Sequence, residues 1–121
     1  MEIWVNPACS KCHAATSAFD DAGIEYTVRR YLDEPPTAQE LTDVLNRLGL
    51  EPWDIARMGE SAAEEIMLGD IARDASSRQE WIAALVEHPI LIQRPIITAG
   101  DGTTVIGREP DTVDRAIKAE R

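Results

Sequence analysis

The stretch "NPACSKCH", residues 6–13, holds both cysteines of the chain, Cys9 and Cys12, and a histidine, His13, directly after the second. Three chemistries use this spacing. Cys-x-x-Cys is a dithiol that cycles with its disulfide, Cys-x-x-Cys-His is the attachment signature of a c-type haem, and one sulfur alone can be a nucleophile with the other as helper or bystander. Covalent haem needs export. The N-terminus "MEIWVNPACS" carries Glu2 where a signal peptide is positive, and its apolar run is too short for one. A zinc site fares no better: His13 adjoins Cys12 and His88 stands alone, so half a ligand set is missing. No metal is expected, and the thiol readings stay open.

The flanking residues say where the sulfurs sit. "EIWV" is a short β-branched and aromatic run stopped by Asn6-Pro7, which reads as a strand entering a loop. From Lys11 to Ala22 the residues Ala14, Ala15, Ala18, Phe19 and Ala22 recur at helical spacing, and Gly23 ends the helix. Cys9 therefore lies at a helix start, where unpaired N–H groups and the dipole stabilise an anion and lower a thiol pKa. The same N–H groups, those of Ser10 and Lys11 among them, suit a bound oxyanion. Cys12 is three residues on, within disulfide range of Cys9 in a helical turn, and both a resolving and a passive role fit it.

Beyond the loop, Ile24, Tyr26 and Val28 alternate with polar residues, a half-buried strand. Thr37 with Glu40, Ser61 with Glu64 and Ser77 with Glu80 each match a capping box, so the middle of the chain reads as helical. "RPIITAGDGTTVIG" is a hairpin around Gly-Asp-Gly, and a last helix follows Pro110 with Val113, Ala116 and Ile117 on its inner face. The order is βαβ, a helical insert over about 37–88, then ββα: an α/β, thioredoxin-like fold with a four-stranded mixed sheet, forming one domain over 1–121. In that fold Pro95 would open the third strand facing the cysteines, and the resemblance implies a cis bond before it.

Charge narrows the partners. A net charge of −10, from 22 acidic and 12 basic residues, argues against nucleic acid and anionic membranes as main partners. No run approaches the eighteen apolar residues of a membrane span, and the expected compartment is the cytoplasm, where close cysteines are more often catalytic than structural. Against this acidic background Arg57, Arg94 and Arg108 each fall at an element boundary. A lone arginine is ordinarily a solvated charge. Three converging on a thiolate would clamp a tetrahedral oxyanion.

Five segments, "NPACSKC", "YLDEPPTAQEL", "DIAR", "HPILIQRPII" and "IGREPD", occur in the order and spacing of ArsC-type arsenate reductases of the glutaredoxin-coupled class. The chain resembles that family from about Ile3 to Ile117. The resemblance implies that Cys9 is the nucleophile, that Arg57, Arg94 and Arg108 bind arsenate, and that no cofactor is bound. It implies too that a thiol donor (glutaredoxin, thioredoxin or a small thiol) recycles the protein. Well-studied members carry histidine at the position of Val5, serine at that of Cys12 and arginine at that of His13. Activation of the thiol then rests on the helix end and the arginines, with His13 as a further candidate, and Asn6 beside the site. Cys12 brings the motif nearer to Spx, a related redox-sensing regulator that acts on a protein partner, whereas Arg108 favours the reductase. A general thiol-disulfide oxidoreductase is the third reading.

Overall fold

Short apolar runs with period 2 and apolar stripes with period 3.6 divide this chain into nine regular elements, and a computed structural model describes them over residues 1–121. In chain order they are β1 (Glu2–Val5), α1 (Ser10–Asp21), β2 (Thr27–Arg30), α2 (Ala38–Leu48), α3 (Ser61–Glu65), α4 (Arg78–Glu87), β3 (Ile96–Thr98), β4 (Thr104–Ile106) and α5 (Pro110–Glu120). Single 3₁₀ turns lie at Pro52–Asp54, Leu68–Asp70, Ala75–Ser77 and Pro89–Leu91. No helix is long and apolar enough to cross a membrane. The chain divides into two compact units, Met1–Glu34 with Arg94–Arg121, and Pro35–Gln93.

The first unit is a mixed sheet of order β2-β1-β3-β4. Strand β1 runs parallel to β2 and antiparallel to β3, and β3 pairs antiparallel with β4. Ile3 lies opposite Ile97, which lies opposite Val105, so these three side chains share one face. They are buried with Ala15 and Phe19 of α1 and Val113, Ala116 and Ile117 of α5 in one core. A βαβ half joined to a ββα half around this sheet is the thioredoxin-like arrangement. Gly107 closes β4: its N–H donates to the Pro95 carbonyl at 2.9 Å, and a Cβ there would collide with Ile97 Cδ1.

The second unit is helical. Thr37 and Glu40 cap α2 reciprocally, at 3.1 Å and 3.0 Å, and Gly49 ends it at φ 70°. Leu41, Val44 and Leu45 of α2 are buried, as are Trp81, Ile82 and Leu85 of α4. The Trp81 indole N–H donates to the Ala72 carbonyl at 2.9 Å, satisfying the polar atom of the unit's largest buried side chain.

Four details differ from the sequence expectation. Strand β2 begins at Thr27, because Gly23 turns left-handed at φ 69° and Ile24 N–H still bonds to Phe19 at the helix exit. The apolar alternation therefore starts before the sheet does, and Val28, on an edge strand, is 47% exposed. Ser61 is the first residue of α3 rather than its cap, so no box forms with Glu64. Ser77 precedes α4 without a side-chain cap; Asp74 instead accepts the Ser77 N–H at 3.0 Å and the Ser76 hydroxyl at 2.7 Å, spending the capping interaction one turn earlier. Finally, the buried stripe of α1 is Cys12, Ala15 and Phe19, while Ala14 is exposed. That rotation puts Cys12 in the core.

Candidate functional site

The cysteine loop is folded by its asparagine. Asn6 Oδ1 accepts the Ala8 N–H at 3.0 Å and the Asn6 carbonyl accepts the Cys9 N–H at 2.9 Å, a tight turn typical of this residue type. The turn delivers Cys9 to the N-cap of α1 with extended backbone, φ −90° and ψ 120°. An N-cap side chain faces the N–H groups of the second and third helical residues, here Lys11 and Cys12. Sulfur stands where a serine or aspartate oxygen usually does. A neutral thiol is a weak acceptor and makes no cap hydrogen bond; the thiolate is what draws on those donors.

The electrostatics separate the two sulfurs. Burial raises the Cys9 pKa, but the Cys12 N–H, the Cys12 S–H, the Lys11 N–H and the Arg94 guanidinium outweigh it, and the thiol falls from 9.0 to about 7. Cys12, 3% exposed, is pushed up to about 12 by burial, against the opposing Asn6 N–H and Arg94 charge and with the help of its bond and proximity to Cys9. One helical turn thus holds a thiolate-forming sulfur and a thiol that keeps its proton and donates it.

Arg94 is nearly buried, and the bond joining it to Pro95 is cis. Arg108, just past β4, donates from Nη1 to the Arg94 carbonyl at 2.7 Å. Within the first unit the structure therefore brings together Cys9, Cys12, Arg94 and Arg108. Beside Arg108 a cavity of about 330 Å³ opens between α1 and α5, with Lys11 and Glu109 among its lining and an apolar floor of Ala18, Val113 and Ile117. Ser10 and the Lys11 side chain are exposed on the first turn of α1, so Lys11 reaches Cys9 through its backbone. His13 is also exposed and its Nε2 lies 2.8 Å from the Pro7 carbonyl, a contact that ties down the loop. Val5 is buried in the core and offers no polar group.

Arg57 belongs to the second unit. Its Nε donates to Glu60 Oε1 at 3.1 Å and its Nη1 to Gln93 Oε1 at 2.7 Å. Gln93 is not visible by spacing, being thirty-six residues away from Arg57. An acidic residue three after an arginine was the one signal pointing to Glu60.

Such an arrangement can present a nucleophilic sulfur to an anion while guanidinium groups and N–H donors neutralise charge on its oxygens. The ArsC family model matches residues 4–116. The "Uncharacterized protein in glnII region" of Streptomyces viridochromogenes is 58% identical over 117 residues, 97% of this chain and 98% of that one. An arsenate reductase of Neisseria meningitidis serogroup A is 33% identical over 118 residues, 97% of each chain. Among solved structures, the arsenate reductase from Vibrio cholerae aligns with a TM-score of 0.84 at 34% identity, over 96% of this chain and 98% of that one.

Proposed function

The chain belongs to the ArsC family, and we propose that it is an oxidoreductase that reduces arsenate to arsenite with thiols as the electron source. The observation that carries this reading is Cys9 at the open end of α1, with a thiol pKa of about 7 beside the Arg94 guanidinium. Near neutral pH about half of such a thiol is thiolate, the nucleophilic form.

Arg94 and Arg108, with Arg57 as the third arginine named by the family resemblance, neutralise the oxyanion, and the N–H groups at the start of α1 add to them. The Cys9 thiolate attacks arsenic and forms an S–As bond as water or hydroxide departs; arsenic is still pentavalent. A second thiolate then attacks the Cys9 sulfur. An S–S bond forms, the S–As bond breaks, and its electron pair stays on arsenic, which leaves as arsenite. Two thiols are oxidised to one disulfide and arsenic gains two electrons. Exchange with glutaredoxin, thioredoxin or a small thiol of the cytoplasm restores Cys9. Phosphate has the same shape and charge, so selectivity comes from the readiness of arsenic to bond sulfur.

The test is arsenite release with glutaredoxin, thioredoxin and small-thiol systems supplied in turn. Arsenite in at least one of them is expected. Reduction of model disulfides with no arsenite in any would replace this reading by general thiol-disulfide exchange.

A further inference from the structure

Arg57 is held more elaborately than a surface arginine needs to be. Ala56 and Ile92 form an isolated antiparallel bridge, flanked by Arg57 N–H to the Leu91 carbonyl at 2.7 Å and Gln93 N–H to the Ile55 carbonyl at 2.9 Å. In that register Arg57 and Gln93 are diagonal neighbours on one face, within reach for long side chains. The chain then turns, with Glu60 N–H on the Arg57 carbonyl at 3.2 Å, and brings Glu60 back onto Nε. Arg57, Gly59, Glu60 and Gln93 line an open, polar pocket of about 340 Å³.

The two partners grip different edges of the guanidinium. Gln93 is neutral and takes one Nη1 hydrogen. Glu60 is an anion on Nε, one half of the Nε/Nη2 fork that carboxylates and tetrahedral oxyanions use for bidentate binding. A carboxylate there occupies the place of an oxyanion oxygen.

We propose that Glu60 is a built-in competitor for the oxyanion at Arg57, and that Gln93 is a positioning residue that keeps the guanidinium facing the pocket when Glu60 lets go. The ligand class is a tetrahedral oxyanion dianion, and the inference rests on the proposed role of Arg57 in binding it. Glu60 sets the affinity of the pocket by making an incoming anion displace, or share space with, a fixed negative charge. Weak anions are discouraged and the arginine stays charge-paired while the pocket is empty.

Inorganic phosphate is the probe, since it binds without being reduced, and calorimetry on Cys9→Ser chain reads binding free of turnover. Glu60→Gln keeps an oxygen on Nε and removes the charge, so phosphate affinity should rise at least about threefold, the scale of a partly exposed charge pair. Gln93→Ala should weaken binding and Gln93→Glu should weaken it further, while circular dichroism reports each variant folded. A purely structural Glu60 makes Glu60→Gln neutral or worse, and that result overturns the proposal. The outcomes are separable from the functional reading. Phosphate binding by the parent chain that Arg57→Ala leaves unchanged removes Arg57 from oxyanion binding, and the proposal with it. Tightening by Glu60→Gln together with no arsenite formation leaves the competitor in place and sinks the reductase.

Discussion

The cysteine loop and the Arg57 loop both manage a charge, and they do it with different materials. At Cys9 two of the four stabilising groups are backbone N–H donors of α1, fixed once the helix forms. At Arg57 the guanidinium is held by two side chains, Glu60 on the turn that follows and Gln93 beside the single bridge of Ala56 with Ile92. Backbone donors cannot swing away, so the thiolate is favoured before any ligand arrives. Side-chain partners can exchange, so the arginine is held and yet replaceable. The sulfur is held by fixed groups and the guanidinium by groups that can move.

That contrast breaks most sharply at the sulfur. Cys9→Ser should abolish arsenite formation with the fold intact by circular dichroism; measurable turnover in that variant would falsify the thiol chemistry altogether. Next come the arginines of the first unit. Arg94→Lys and Arg108→Lys each should lower kcat/KM at least tenfold, about 1.4 kcal/mol, because lysine cannot reproduce the planar fork or the Arg108 bond to the Arg94 carbonyl. Kinetics like those of the parent in both would remove them from oxyanion binding.

A subtler change separates backbone from side-chain help. Alkylation of Cys9 by iodoacetamide should accelerate as pH rises through about 7 and level off above it, since the folded pKa lies below 9.0 and the reactive form is the deprotonated one. Cys12→Ala removes one donor, so the midpoint should move up towards 9.0; Cys12→Ser, which retains a donor, should move it less. An unmoved midpoint in Cys12→Ala would assign the whole effect to the backbone and Arg94. Mass spectrometry after one turnover then reads the other role of Cys12: a Cys9–Cys12 disulfide makes it the resolving thiol, and a Cys9 adduct with Cys12 free makes it a bystander. The smallest effect is a control far from the sulfur. Thr37→Ala should cost about 1 kcal/mol of stability by loss of the α2 cap, with kcat/KM unchanged.

Sequence carried the local features well. Asn6-Pro7 stops β1 and the apolar stripe starts α1, so the placement of Cys9 at a helix end follows from short-range rules. The box at Thr37 is made by both its residues, Thr37 and Glu40, whereas at Ser77 the nearby Asp74 accepts the N–H instead. Competition among neighbouring caps is invisible to a motif three residues long. Strand β2 begins later than alternation indicates for a related reason: alternation marks which side chains face inward, and Ile24 and Tyr26 pack inward before the ladder with β1 begins. The grip on Arg57 was illegible because it depends on a bridge between residues 56 and 92. No periodicity or spacing reports a contact of that range.

Gly107 gives a warning for anyone who maps this protein by saturation mutagenesis. A Cβ at that position meets the Cδ1 end of Ile97 and touches Pro95 and Val113, just before Arg108. Larger side chains there, which need Ile97 to move, should therefore lower activity, although the residue has no side chain with which to act. Ranked by intolerance alone, it would be counted among the reacting groups. A scan that records abundance beside activity would separate them, since Cys9 variants should accumulate in cells and the bulkier Gly107 variants should accumulate less.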